Sequence, residues 1–417
     1  MNPLRNLSYH QLALLLWLAY FLIIILDVRH FSRRDPESPF FDPDDAFAAK
    51  YSAVRRQQAE AYIETASQSP VGSAAYGKAR EGHSLCVGIA TVQREGARYF
   101  RDAVGSVLEG LTEEERADLR LVNFIVNVDP TEHQAFNESW LGLVSDTVLT
   151  YADAEEEVQR RVRIADAPGE WRFQTKPLFD YVYLLQQCYA DGADWVVMLE
   201  DDTIAAEGWY VQVKRAVAEL ERRQAVGNMV YLRLFYNEGL LGWNSEEWFG
   251  YLLRSLGIDA LVLGALCAVR KFAPASAPVL TARTILVVAF AIVPSCILLY
   301  FTAGRITVAG PPTGISRMEN YGCCSQAFVF PRGRIPELIE MYTAAGRGFV
   351  DVLTEIFANE KGYARWALTP SVFQHVGSTS SKATGPSKWG RNNAENIWNF
   401  HFEEFDAEVR RGMHVGG

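Results

Sequence analysis

The sequence predicts an α/β protein: a doubly wound sheet domain split by a pair of long apolar helices and preceded by an apolar anchor. Three observations point there. Short apolar runs alternate with helix-forming stretches, the pattern of strands wound with helices on both faces. Two long apolar segments interrupt that pattern. Neither flanking half has the sheet partners or the length to close a core alone, so the two halves read as one domain.

The elements follow in order. Phe47 to Glu64 is a polar, helix-prone stem. Leu85-Cys86-Val87-Gly88-Ile89-Ala90-Thr91 is a first buried strand, Tyr99 to Leu111 an amphipathic helix, and Leu121 to Asn127 a second strand. A helix over Lys176 to Ala190 feeds the run Trp195-Val196-Val197-Met198-Leu199, which ends abruptly in Glu200, Asp201 and Asp202. Such a run reads as a strand buried on both faces. Met229 to Tyr236 and Ser325 to Phe330 are further strands on either side of the apolar pair. Helices near Ile335 to Met341 and Val350 to Glu360 precede Phe373-Gln374-His375-Val376-Gly377.

Three apolar segments have membrane character. Leu12 to Leu26 is short for a span of about 20 residues, yet no small-residue cleavage site follows it, so it reads as an uncleaved signal anchor in preference to a cleaved signal peptide. Leu252 to Val269 carries Arg254 and Asp259 near its start, and Ile285 to Phe301 contains Pro294, which a membrane helix tolerates. Both are too uniformly apolar for amphipathic core helices. Arg270, Lys271 and Arg283 lie between them in a tight loop, which the positive-inside tendency places in the cytosol. The chain on both sides of the hairpin then lies in the opposite compartment, and the amino terminus is cytosolic. The local charges around the first anchor, Arg5 before it and Arg29, Arg33 and Arg34 after it, favour the reverse. Asn137-Glu138-Ser139 is a glycosylation sequon; Asn6-Leu7-Ser8 is another, silent if cytosolic. Adjacent Cys323 and Cys324 form a vicinal disulfide or stay as thiols; Cys86 and Cys188 pair or stay free; Cys267 and Cys296 read as packing residues of the hairpin.

Charge excludes one large class. The 417 residues carry a formal net charge of −10 and no basic, aromatic-interleaved stripe, which argues against nucleic-acid binding. There is no glycine-rich phosphate loop and no CxxC pair. The acidic run is therefore the main chemical signal. Ligands of open α/β sheets bind beyond the carboxyl ends of strands, and carboxylates clustered there repel one another unless a cation lies among them. A divalent ion held with a sugar-nucleotide diphosphate meets that need; a solvated acidic turn is the plainer reading.

A family resemblance narrows the choice. Val87-Gly88-Ile89-Ala90-Thr91, Lys176-Pro177-Leu178-Phe179-Asp180-Tyr181, Glu200-Asp201-Asp202, Cys323-Cys324-Ser325-Gln326-Ala327-Phe328-Val329-Phe330 and Gln374-His375-Val376-Gly377-Ser378 occur in that order. Together they resemble the GT-A nucleotide-sugar glycosyltransferases, and the last two elements resemble the N-acetylglucosaminyltransferase IV group. With the hairpin inside the domain, the arrangement is similar to the Golgi post-GPI-attachment GalNAc-transferases. The resemblance implies a multi-pass Golgi membrane enzyme. Residues 1–11 would form a cytosolic tail, 12–26 the anchor and 27–83 a lumenal stem; 84–251 and 305–417 would be the two parts of a lumenal GT-A catalytic domain around a hairpin at 252–304. It also implies transfer of GalNAc from UDP-GalNAc, with inversion, onto the first mannose of the glycan on GPI-anchored proteins.

That chemistry assigns roles. Asp202 is the expected ligand for Mn2+ or another divalent cation, which acts as a Lewis acid on the departing diphosphate. Strand alternation sends Glu200 to the same face, toward the ribose; Asp201 contacts the donor sugar. His375 supplies a second metal ligand or a diphosphate contact, Gly377 allowing close backbone approach. Thr91, Val92, Gln93 and Arg94 line the uridine pocket and Asn127 reads the base. Lys176 reaches the diphosphate with Asp180 in support, unless the two are only an ordinary helix pair four residues apart. Asp351 is the catalytic base by resemblance, against the alternative of a carboxylate in the first turn of a helix; Glu238 and Glu246 are rivals. The hairpin would hold the cleft at a fixed height over the bilayer. The competing functions are an N-acetylglucosaminyltransferase acting on N-glycans and an inactive, membrane-tethered glycan-binding protein.

Overall fold

The computed structural model describes residues 9–415 apart from 71, 95, 319, 321 and 379–392; Asn6 of the first sequon lies outside them. The chain divides into two compact units, Met1–Phe47 with Gly239–Gly310, and Ala48–Glu238 with Pro311–Gly417.

The second unit is built on an eight-stranded sheet in the order β3-β2-β1-β4-β8-β6-β9-β7. The strands are β1 Leu85–Thr91, β2 Leu119–Ile125, β3 Thr147–Leu149, β4 Trp195–Glu200, β6 Met229–Arg233, β7 Gly314–Arg317, β8 Ala327–Pro331 and β9 Ala364–Thr369. Strands β3, β2, β1 and β4 run parallel, β8 lies antiparallel between β4 and β6, β6 and β9 are parallel, and β7 closes the edge antiparallel. A separate two-stranded ribbon pairs β5 Thr203–Ala205 with β10 Phe373–His375. The sheet is thus mixed, and its strands β6, β8 and β9 come from both sides of the apolar pair in sequence.

Both faces of the sheet are covered, so central strands read as unbroken apolar runs. Alternation still sorts their side chains. Leu85, Val87 and Ile89 of β1, with Trp195, Val197 and Leu199 of β4, pack against Val104, Trp140 and Trp209. Cys86, Val196, Met198, Phe328 and Phe330 face the opposite layer, with Leu184, Cys188, Tyr342 and Phe357. Cys86 is disulfide-bonded to Cys188, which ties β1 to the helix Arg172–Asp191. Cys323 and Cys324 also form a disulfide, while Cys267 and Cys296 are free.

The stretch expected to be a stem belongs to this unit. Helix Tyr51–Gln68 buries Tyr51, Arg55, Ala59, Ile63 and Ala66. Its start is capped by Glu403, whose carboxylate accepts the backbone N–H groups of Lys50 and Ser52 at 2.8 and 3.0 Å. It crosses helix Tyr99–Leu108 so closely that a Cβ on Gly105 would lie 2.6 Å from the Ala59 carbonyl oxygen. Its buried face mixes Ser52 and Arg55 with Tyr51, Ala59, Ile63 and Ala66, which is why composition alone reads it as polar.

Among the described residues, three helical stretches are long and apolar enough to cross a membrane, Leu14–Arg34, Glu238–Phe272 and Ala282–Ala303, and apart from Glu238 they belong to the first unit. The third accommodates Pro294 with a π-helical turn, Val288–Ile292, immediately before it. Proline has no N–H to donate and its ring crowds the carbonyl four residues back; a widened turn relieves both. Within this unit Trp243 donates its indole N–H to the Phe301 carbonyl at 3.0 Å, and Asp35 accepts the Thr307 N–H at 3.0 Å.

The helix crossing makes a direct test of packing. Gly105→Val must push two backbones apart, and overpacking of this kind costs about 1–3 kcal/mol. Thermal unfolding of the full chain should show a Tm several degrees lower, whereas Gly257→Val, on an open helix surface, should leave it unchanged.

Candidate active site

Strand order reverses between β1 and β4: the chain runs outward through β2 and β3, then returns to place β4 on the other side of β1. Such a switch point opens a crevice beyond the carboxyl ends of the two strands. The parallel register sets Ala90 beside Glu200, so Thr91 comes to stand beside Asp201. The acidic run therefore sits where an α/β sheet binds ligands.

β4 ends at Glu200, and Asp201 and Asp202 lie in a turn. The alternation expected to put Glu200 and Asp202 on one face does not extend that far. Glu200 instead turns to β8, accepting from Ser325 Oγ at 2.6 Å and Gln326 Nε2 at 3.3 Å. Asp201 and Asp202 are the pair that shares a neighbour. The Arg94 guanidinium is 2.7 Å from Asp201 Oδ1 and 3.4 Å from Asp202 Oδ2. Both carboxylates are buried, at 4% and 8% exposure, so their repulsion is not screened by water. Burial, reinforced by Asp202, raises the pKa of Asp201. Burial pushes Asp202 the same way, but His375 and then Arg94 outweigh it and hold that carboxyl below the usual range.

His375 reaches this turn through the β5–β10 ribbon, where it pairs with Thr203. Its Nδ1 is 3.1 Å from the Ile397 carbonyl oxygen, so Nδ1 carries a proton, and in the neutral ring Nε2 presents a lone pair. That lone pair faces Asp202 Oδ2 at 3.6 Å. Two acceptors face one another there unless a proton or a cation lies between them. Burial lowers the imidazole pKa, but Asp202 more than offsets it and the net direction is upward. Asp202 Oδ1 is buried and has no hydrogen-bond partner among the described residues. A Cβ on Gly377 would lie 2.3 Å from Asp202 Oδ2 and 2.9 Å from His375 Nε2, so glycine keeps the space beside both groups open. A carboxylate, an imidazole with its second nitrogen tied to a carbonyl, and an unused buried oxygen fit a divalent ion such as Mn2+.

The other expected residues fall into place as follows. Thr91, Val92, Gln93 and Arg94 line one pocket together with His133 and Asp201. Asn127 braces its rim: its Oδ1 accepts the Gln93 N–H at 3.2 Å. Lys176 and Asp180 are paired, but inside the protein rather than on the helix surface. Lys176 Nζ donates to the Val126 carbonyl at 2.8 Å and to Asp180, which also accepts from Tyr151 at 2.6 Å. Asp351, in the first turn of its helix, accepts the N–H groups of Cys324 and Val352 at 3.2 and 2.9 Å. It adjoins the segment whose Ser325 holds Glu200. Its carboxylate also lies near Cys323 Sγ and Cys324 Sγ, but sulfurs joined in a disulfide have no thiolate to offer a metal. Glu238 is fully buried and accepts from the Phe400 and His401 N–H groups at 2.5 and 3.0 Å and pairs with His401 Nδ1 at 2.7 Å. Glu246 is an exposed residue of the other unit.

Several participants carry no sequence signal. His133 lies in a loop and reaches Thr91 at 3.0 Å. Tyr99 holds Ser378, accepting its N–H at 3.0 Å. Arg233 is completely buried and donates to the carbonyls of Gly322, Cys323 and Cys324 and toward Glu355. An arginine within an apolar strand is the one hint the sequence offers for that anchor.

The chain is 28% identical over 156 residues to alpha-1,3-mannosyl-glycoprotein 4-beta-N-acetylglucosaminyltransferase C of Mus musculus, covering 33% of this chain and 30% of that protein. It is 24% identical over 160 residues to the A enzyme of Mus musculus, covering 36% and 29%, and 27% identical over 150 residues to the B enzyme, covering 33% and 27%. The match thus spans less than a third of each relative. The names of these relatives and of the matching family support a glycosyltransferase. Residues 85–374 match the family GPI-N-acetylgalactosamine transferase PGAP4, and the chain belongs to that family.

Gly377→Ala probes the open space directly. The added methyl meets the Asp202 carboxylate and the His375 ring, so transferase activity should fall at least about tenfold, the usual effect of disturbing groups around a ligand site. Tm should move by no more than a few degrees. Unimpaired activity in the alanine variant would remove the Asp202–His375 gap from the site.

Proposed function

We propose that this chain is a GT-A-type enzyme that transfers GalNAc from UDP-GalNAc, with inversion, onto the first mannose of the glycan of GPI-anchored proteins. The observation that carries the reading is the buried Asp201–Asp202 pair facing His375 across a gap that Gly377 keeps clear. Family membership supports the acceptor class and the GalNAc donor. Asp202 and His375 would hold a divalent cation, which when bound neutralises charge on the leaving diphosphate.

The chain's own residues divide the remaining work. Thr91, Val92, Gln93 and Arg94 bind the uridine half of the donor in the pocket they line, braced by Asn127. Lys176 and Asp180 hold the end of β2 and so keep Asn127 in register. Arg94 has a buried Nε with no partner among the described residues, a donor available to the anionic ligand. Glu200, oriented by Ser325 and Gln326, takes the ribose, and Asp201 the donor sugar. Asp351 receives the proton of the acceptor hydroxyl as the new bond forms opposite the leaving group, which is what inversion requires.

The reading extends to the membrane. We place the sheet-bearing unit in the Golgi lumen, with Arg270, Lys271 and Arg283 in the cytosol. A tag inserted at Ala275 should then be accessible from the cytosol in selectively permeabilised cells while Asn137 carries glycan. A tag protected there, with Asn137 bare, reverses the topology.

The function itself is tested with the purified full chain, a GPI-glycan acceptor, and UDP-GalNAc or UDP-GlcNAc. Transfer from UDP-GalNAc should appear, stop on chelation, return with Mn2+, and be lost in a folded Asp202→Ala variant. Preference for UDP-GlcNAc, or transfer unaffected by Asp202→Ala, would overturn the donor or the metal assignment respectively.

A further inference from the structure

One buried group at the site has no role in the mechanism above. His133 is 6% exposed. The backbone N–H of Ala135 points at its Nδ1 at 3.2 Å, so that nitrogen accepts and the ring proton belongs on Nε2. Nε2 is 3.0 Å from Thr91 Oγ1. Thr91 Oγ1 in turn donates to Asp201 Oδ2 at 2.8 Å. A hydroxyl has one proton; since it goes to the carboxylate, the oxygen must accept from the imidazole. Every hydrogen in the row Ala135, His133, Thr91, Asp201 therefore has one direction. The other oxygen of Asp201 is fixed by Arg94.

We propose that His133 is a positioning residue: acting through Thr91, it fixes the orientation of the Asp201 carboxylate in the donor pocket. The inference rests on the glycosyltransferase reading for its kinetic consequence, but not for its geometry. A carboxylate in a turn has a soft terminal torsion and is tethered on its Oδ1 side only by the long, flexible Arg94. A neutral ring wedged beneath Thr91 supplies the second, rigid tether. Burial suits the ring to the task, because it lowers the His133 pKa to about 4 and keeps the imidazole a one-proton donor at neutral pH. An imidazolium would lose the Nδ1 acceptor that takes the Ala135 N–H, and the row would lose its direction. Phe100 packs edge-on against the ring at 5.8 Å and holds it in plane.

The test is a double-mutant cycle on the full chain in nanodiscs, with a spectroscopic arm independent of turnover. His133→Leu and Thr91→Val should each lower kcat about tenfold, and the double variant should be no worse than either, because residues in one network do not add. Thr91 itself lines the donor pocket, so the donor KM is read in His133→Leu, where it should stay within about twofold; Tm should stay within a few degrees in both. His133→Gln, which restores an N–H near the Nε2 position, should recover most of the loss. A product of the two single losses, about a hundredfold, would overturn the proposal. So would losses that track Tm, or no recovery in the glutamine variant. Independently, 15N spectra of histidine-labelled protein at pH 7 should show His133 as the neutral Nε2–H form, with its Nε2 resonance displaced in Thr91→Val. An Nδ1–H form or an imidazolium overturns the relay. Should the unmodified chain turn over no UDP-sugar, the functional reading fails alone, and the spectra still decide the relay.

Discussion

Two carboxylates held against each other in a buried turn are the constraint on which the site depends. At an effective dielectric of about 20, like charges about 4 Å apart repel by roughly 4 kcal/mol. Such a pair persists only if the surroundings supply compensating charge and hydrogen bonds. Around Asp201 and Asp202 that supply is specific: one guanidinium for both, a hydroxyl for the first and an imidazole for the second. The partners come from three parts of the chain. Thr91 ends β1 and Arg94 follows it, His133 follows β2, and His375 arrives on the β5–β10 ribbon, so the turn recruits its environment from some 285 residues of sequence, from Thr91 to His375.

Long-range ties keep those contributors in register. Gln374 and Asn399 exchange hydrogen bonds at 2.8 and 3.1 Å, and Gln374 also donates to Glu403 at 2.9 Å. Glu403 in turn caps the helix Tyr51–Gln68. The residue beside the candidate metal ligand is thus joined through buried side chains to both the late segment 399–403 and the early helix. On the other side, Arg233 gathers three successive carbonyls before β8 and so sets the position of Ser325, which orients Glu200. Buried charges of this kind are poor sources of stability when weighed against their desolvation. Their value here is geometric, since each hydrogen bond narrows the arrangements open to its neighbours.

The same logic separates the two glycines that matter from the rest. Gly105 serves stability, letting two helices touch backbone to backbone. Gly377 serves the site, leaving room beside Asp202 Oδ2 and His375 Nε2. Both are required for lack of a Cβ, yet one change is felt in folding and the other in chemistry.

What the sequence determined is what local physics writes locally. Unbroken apolar runs marked β1, β4, β6 and β8, because strands covered on both faces tolerate nothing else. Three apolar stretches marked the membrane-capable helices, and the carboxylates ending β4 marked the site. Strand β9 was not legible, because Arg365 sits within it, buried against Glu355, and its charge hid the strand. Nor was the packing of helix Tyr51–Gln68, whose buried face includes Ser52 and Arg55 and carries little hydropathy. The site divides in the same way. Asp202 and His375 could be named from their motifs. That Glu200 turns away to Ser325, that Asp201 shares Arg94 with Asp202, and that His133 stands behind Thr91 were decided only by tertiary structure. These are contacts between residues tens to hundreds of positions apart, fixed by strand order and register, and no pattern within a window of sequence records which side chain will meet which across a sheet.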